Sequence, residues 1–221
     1  MLVSIFNAVL IICLTWLAFR YLDLKERTEP VERSYSQFIA GIASIVDLVE
    51  GYDRSHAAEV AAIAEKIARS SGLAEEQLHT LKAAAMLHDI GELLLPREIF
   101  RSQVPLNDEQ LFLMRTHPLL GELHLKNNMD TPNEVPAVIR WHHERWDGLG
   151  YPDNLKGDEI PVLARILTLS DAISAMQNDR AYRGKKYALK SDIDREISRQ
   201  AGLQFDPELV RVWLQISETQ K

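Results

Sequence analysis

His88 and Asp89 stand side by side at the end of an apolar, alanine-rich stretch. An imidazole next to a carboxylate offers a nitrogen and an oxygen donor to a hard or borderline divalent cation. The same doublet also arises at an ordinary helix C-terminus, where a histidine meets the negative end of the dipole and a glycine such as Gly91 supplies the cap. What separates the two readings is the company the pair keeps: His56, His117, the adjacent His142 and His143, and Asp171 add five donors from other segments. Five of the chain's seven histidines lie in or beside apolar helical stretches. Buried imidazoles need a partner each unless several share an ion. A mononuclear zinc site takes roughly three or four ligands, so this larger set points to two ions. Mixed imidazole and carboxylate ligation without sulfur favours iron, manganese or another borderline first-row ion over a structural zinc. His79 and His124 fall outside the set and read as surface positions.

Helices must position these donors. Apolar residues at Phe38, Ile39, Ile42, Ile45, Val46 and Val49 predict a helix from Tyr35 to Glu50, ended by Gly51. Ala57 to Ser71 is amphipathic and closed by Gly72, and Glu75 to Asp89 carries Leu78, Leu81, Ala85 and Leu87 down to the His-Asp pair. Asn107 is the expected N-cap of a helix from Glu109 to Lys126; Pro132 opens one toward His143, and Pro161 opens the run that reaches Asp171. Ser191 is the expected cap of a helix ended by Gly202, and Asp206-Pro207 starts the last one. No period-2 run appears, so the fold class is all-α, with loops from Gly91 to Asn107 and from Trp146 to Pro161.

With 221 residues, 46% hydrophobic and 26% charged, the chain reads as globular. A net charge of −7 disfavours DNA or RNA as partners, because counterion release needs clustered Lys and Arg. Cys13 is the single cysteine, which excludes a disulfide framework and a thiolate metal site. Leu2 to Phe19 is apolar except for Ser4, Asn7 and Thr15, and its ~27 Å helical length approaches a bilayer core. Arg20, Lys25, Arg27 and Arg33 follow it while no Lys or Arg precedes it. The positive-inside rule then predicts a single-pass anchor over residues 1–22 in the inner membrane, with a juxtamembrane linker over 23–34 and the domain from 35–221 in the cytoplasm. A buried N-terminal core helix is the competing reading. The Tyr35–Glu50 stripe suits pairing in a homodimer and packing on its own domain equally.

His142-His143-Glu144-Arg145-Trp146-Asp147-Gly148-Leu149-Gly150-Tyr151-Pro152 delivers two imidazoles and then breaks into a glycine-rich loop. With His56, His88-Asp89-Ile90-Gly91, His117-Pro118-Leu119-Leu120-Gly121, Asp171, Asp179-Arg180-Ala181-Tyr182-Arg183 and Phe205-Asp206-Pro207, it resembles the HD-GYP branch of the HD phosphohydrolase superfamily from about Gly51 to Leu214. The resemblance implies an HD-type helical bundle and a phosphodiesterase that hydrolyses cyclic di-GMP by a two-metal mechanism. His56, His88, Asp89, His117, His142, His143 and Asp171 match the family's metal ligands, with Asp89 the implied bridge and a catalytic position. Tyr151, Arg180 and Arg183 match positions used around the ligand, where a tyrosine stacks or donates and arginine forks bind phosphate; for the two arginines a surface salt bridge competes evenly. Asp147, Gly148, Gly150 and Pro152 fit loop-shaping roles. Tyr52 occupies the position where some members place a third-metal glutamate, so two metals are expected.

Two departures matter. Glu92 stands where the family motif has a lysine, reversing a charge at an expected catalytic position. At an assumed ~6 Å and an effective dielectric near 20, a unit charge is worth roughly 3 kcal/mol against a phosphodiester. Glu92 paired with Arg97, or orienting a ligand histidine, would leave activity intact; otherwise the domain is a weakly active cyclic di-GMP receptor or scaffold. An HD phosphohydrolase of another nucleotide is a third reading, disfavoured by the His142–Pro152 block. Ser174 replaces a second aspartate of the Asp171 helix, with no role assigned to the lost carboxylate.

Overall fold

The computed structural model describes residues 30–49, 51, 55–101, 105–177 and 189–219, with Trp16 and Arg20 besides. The chain divides into two compact units, Met1–Ile39 and Ala40–Lys221. In the first, residues 30–39 are helical, and the Arg20 guanidinium lies 5.7 Å from the centroid of the Trp16 ring. Among the described residues no helix is long and apolar enough to cross a membrane. The expected anchor lies outside them apart from Trp16 and Arg20, as do Tyr52, Arg180 and Arg183.

The second unit is helical, and its one β-bridge among the described residues joins Ala201 to Phe205. Helix α1 (40–49) ends before Gly51, whose φ of +80° suits a residue without a Cβ. Asp47 of α1 accepts from the Ala57 amide at 3.2 Å and from Ser55 Oγ at 3.1 Å. A carboxylate of the preceding helix thus caps α2 (His56–Ser70) and holds His56 at its first position. Val60, Ala64 and Ile67 are buried on α2, which packs chiefly against α3 (Glu75–Leu87) and α8 (Val162–Gln177). The small side chains along α2 allow close approach, and truncating a fully buried residue such as Ile67 to alanine costs about 2–5 kcal/mol. α8 is buried along most of its length through Leu163, Ile166, Leu167, Leu169 and Ile173, so Asp171 and Ser174 sit on the central strut.

Four local expectations are corrected. The helix from Glu109 to Lys126 is two helices, α5 (Asp108–Met114) and α6 (His117–Asn128), capped at Asn107 as expected by reciprocal bonds with Gln110 at 2.9 and 3.0 Å. Pro118 causes the split: it has no N–H, and its ring clashes with the carbonyl four residues back, that of Met114. The loop from Gly91 to Asn107 contains a 3-10 turn, Ile90–Leu94, and a short α4 (Glu98–Arg101), started by the Ile99 amide bonding the Pro96 carbonyl at 3.1 Å. Pro136, not Pro132, sits in the first turn of α7 (Val135–Arg140), which ends short of the histidine pair. Ser191 lies inside α9 (Lys190–Arg199), because the Leu189 carbonyl already accepts from Asp192 at 2.9 Å. α10 (Pro207–Thr219) begins as expected, with Asp206 accepting from the Glu208 amide at 2.8 Å.

Candidate metal centre

His88 and Asp89 occupy the turn after α3, His117 opens α6, and His142 and His143 lie on the turn after α7. His56 opens α2 and Asp171 stands in α8. All seven converge in two groups: Asp89, His117, His142 and His143 in one, His56, His88 and Asp171 in the other, with ligand atoms of each within 4.8 Å of one another. Asp89 spans them. Its Oδ2 lies 2.8 Å from His88 Nε2, while Oδ1 lies 3.2 Å from His117 Nε2 and 3.7 Å from His142 Nε2. His56 Nε2 meets Asp171 Oδ1 at 3.2 Å. His79 and His124 stay outside.

Close backbone packing holds the two segments together. A Cβ at Gly91 would stand 1.9 Å from the His117 carbonyl oxygen and 2.7 Å from the Gly121 amide, so α6 lies directly against the turn that follows Asp89. The break before α6 also frees the Met114 carbonyl, which accepts from His117 Nδ1 at 2.7 Å. His88 Nδ1 likewise donates to the Ala85 carbonyl at 2.8 Å and His142 Nδ1 to that of Ile139 at 2.6 Å, aiming each Nε2 into the cluster. Thr168 Oγ1 of α8 donates to the His142 carbonyl at 2.7 Å and pins the turn.

The protonation states suit a cation. Burial opposes ionisation of Asp89, yet the neighbouring His88, His117 and His142 rings outweigh it and hold the carboxyl well below its ordinary value. Asp171 is likewise held down against burial, by His56 and His88. Burial, followed by neighbouring imidazoles, pushes His142 and His143 down toward the neutral form. Neutral imidazoles and ionised carboxylates are the ligand forms that metals require. His117 Nε2 and His142 Nε2 face each other at 3.3 Å, two lone-pair donors aimed at common ground. The donor set therefore fits divalent ions of the nitrogen- and oxygen-preferring kind.

Tyr151 forms one wall, its ring centroid 4.9 Å from that of His143. Burial first, then the carboxylates of Asp89 and Asp171, raises its phenol well above the ordinary value, with Glu92 adding in the same direction. Glu92 is buried beside the pair it follows. Two stabilising devices shape the loop around Tyr151. Buried Glu144 accepts the amides of Asp153 at 2.7 Å and Leu155 at 3.1 Å, with Gly150 so close that a Cβ would stand 2.5 Å from Glu144 Cα. Asp153 receives Arg140 at 2.7 and 2.8 Å and the Trp141 indole at 2.7 Å. Asp147, expected to shape the loop, accepts the Leu149 amide at 3.1 Å. From the C-terminal side, the amides of Trp146 and Asp147 bond the Gln204 and Leu203 carbonyls at 3.2 and 2.8 Å.

Two features escaped the sequence reading. Arg115 places its guanidinium 5.7 Å from the Tyr151 centroid, bringing a cation to the mouth of an otherwise anionic site; the split before α6, signalled by Pro118, is what leaves it on the rim. Ser174 Oγ lies 3.0 Å from His56 Nδ1, and only a helical-wheel alignment of α2 on α8 could have paired them.

The family model described as HD domain matches residues 40–209. The 3′3′-cGAMP-specific phosphodiesterase 2 of Vibrio cholerae is 30% identical over 87% of this chain and 35% of its own length. A cyclic di-GMP phosphodiesterase of Thermotoga maritima is 30% identical over 88% of this chain and 54% of its own. The chain thus spans about a third to a half of these curated relatives. In fold it resembles the crystal structure of a cyclic GMP-AMP specific phosphodiesterase of V. cholerae, with a TM-score of 0.66 and 22% identity over 83% of this chain and 48% of that one.

Proposed function

We propose, from the premise that this chain belongs to the HD domain family, that it is a phosphodiesterase opening cyclic di-GMP to the linear dinucleotide at a two-ion centre. The observation that carries the reading is Asp89, whose two oxygens face two separate groups of imidazoles. His56, His88 and Asp171 would hold one ion and His117, His142 and His143 the other, with Asp89 shared and iron or manganese the ions. Such ions supply Lewis-acid stabilisation of phosphoryl charge and acidify water toward neutral pH. Tyr151, kept protonated by burial and the surrounding carboxylates, donates a hydrogen bond to a phosphate oxygen. Arg115 adds positive charge beside its ring. By resemblance, Arg180 and Arg183 stand around the ligand, where arginine forks bind phosphate. Two relatives carry names for different cyclic dinucleotides, both containing guanine, so the substrate is tested against 3′3′-cGAMP in parallel.

The experiment loads purified protein separately with iron and manganese and follows both dinucleotides by chromatography. Turnover lost together with bound metal in His88→Ala is the expected result. No hydrolysis above background in metal-loaded wild type, with His88→Ala still stripping metal, sinks the enzyme reading. Buried Glu92 supports a second reading, a receptor that binds without efficient turnover, since its carboxylate adds to the negative field that Tyr151 feels. A large gain in turnover by Glu92→Lys at equal metal content supports it; no change removes it. The apolar run before Arg20 and the Lys and Arg after it further support a single-pass anchor with the domain in the cytoplasm. Recovery of the full chain in the soluble fraction of a cell lysate contradicts that anchor.

A further inference from the structure

Three of the clustered histidines solve the problem of orientation in one way. His88, His117 and His142 each turn Nδ1 onto the main-chain carbonyl three residues earlier, at 2.8, 2.7 and 2.6 Å. Those carbonyls belong to the final turns of α3, α5 and α7, where helical acceptors lack a full set of donors. His56 is the first residue of α2 and is oriented from another helix. Its Nδ1 instead meets Ser174 Oγ of α8 at 3.0 Å, and that hydroxyl lies 3.4 Å from Glu59 Oε2. Ser174 is fully buried, so bulk water is not available to replace it.

We infer that Ser174 and Glu59 are positioning residues that fix the tautomer and direction of His56, and through it the group of His56, His88 and Asp171. With an ion bound, His56 Nδ1–H donates to Ser174 Oγ, the serine proton turns to Glu59, and Nε2 keeps its lone pair for the cation. The hydroxyl is suited to this relay because it accepts and donates at once. The nearby carboxylate, that of Glu59, sits on α2, and the serine of α8 carries the connection to it. This inference rests on the two-ion reading above.

The test is calorimetric titration of the metal-free full-length protein with Mn²⁺ alone, beside thermal melts. Ser174→Ala is expected to weaken one of two Mn²⁺ sites by about ten- to a hundredfold while the other keeps its affinity. Ser174→Thr, which retains the hydroxyl, restores both. Glu59→Ala, a change at a half-buried position, weakens the same site by a smaller factor and adds nothing in a Ser174→Ala background. Wild-type affinities at both sites in Ser174→Ala, an equal fall at both, or additive losses with Glu59→Ala overturn the relay. Wild type that binds no Mn²⁺ overturns the two-ion reading itself and the relay with it, an outcome distinct from two intact sites in Ser174→Ala.

Discussion

Substituting Gly91 by alanine probes how the two halves of the centre are held in register. The added Cβ would fall 1.9 Å from the His117 carbonyl oxygen, whereas real Cβ contacts essentially never close below 3.0 Å. Both atoms at this contact are tied to backbone, so no flexible side chain can give way, and the segments must part by about 1 Å or more. Overpacking of this kind costs about 1–3 kcal/mol, and each kcal/mol lowers Tm by roughly 2–4 °C for a chain of this size. The chemistry suffers more than the fold. Moving His117 by ~1 Å from Asp89 Oδ1, now 3.2 Å away, far exceeds the ~0.2 Å tolerance of a metal–ligand bond. Manganese titration of Gly91→Ala is therefore expected to show one site lost or weakened at least tenfold, with the Tm lowered by several degrees. Gly72→Ala is the control: nothing lies within 4 Å of its Cβ, and its φ of +76° costs only about 1 kcal/mol of backbone strain. It should melt slightly lower and bind manganese like wild type. If Gly91→Ala binds both ions with wild-type affinity, the close contact of α6 with the His-Asp turn does not set the geometry of the centre.

Arg115→Ala should raise the KM for a cyclic dinucleotide about three- to tenfold with bound metal unchanged, as expected for a cation at the rim; a loss of metal instead would place Arg115 in the structure of the site. Asp153→Asn removes the charge that Arg140 pairs with and one of the two oxygens that accept from Arg140 and Trp141, and should lower kcat through misplacement of Tyr151, detectable by steady-state kinetics at unchanged metal content. The Arg140 hydrogen bonds hold the Asp153 pKa down at about 2, from an ordinary 3.8. A depressed carboxyl adds stability above its unfolded value and loses it as pH falls through the folded one, so the Tm gap between wild type and Asp153→Asn should narrow between about pH 4 and pH 2. Chelation should lower the Tm of wild type by an amount that rises with the free metal withheld, while His88→Ala responds less; equal Tm values with and without manganese contradict a folded-state site.

Much of the centre was legible because its chemistry is carried by residue type. A His-Asp pair at a helix end, imidazoles at three other helix termini and an aspartate in an apolar run are visible in the chain, and all seven meet in space. Asn107 and Asp206 also announced their helices through capping chemistry that depends only on near neighbours. What failed were boundaries set by a competing local rule. The apolar pattern runs on across Arg115 and Thr116, and only the missing N–H of Pro118 stops the helix there. Ser174 and Glu59 were illegible for another reason: 115 residues separate them, and their meeting depends on how α2 lies against α8.

The amides of Trp146 and Asp147 bond carbonyls just ahead of α10, and Asp206, which caps that helix, also receives Arg165 of α8 at 2.8 Å. The glycine loop that carries Tyr151 is thus joined by main-chain bonds to the segment that leads into the last helix. The position of the Tyr151 wall therefore depends on how α10 is seated in the bundle as well as on the residues of its own loop.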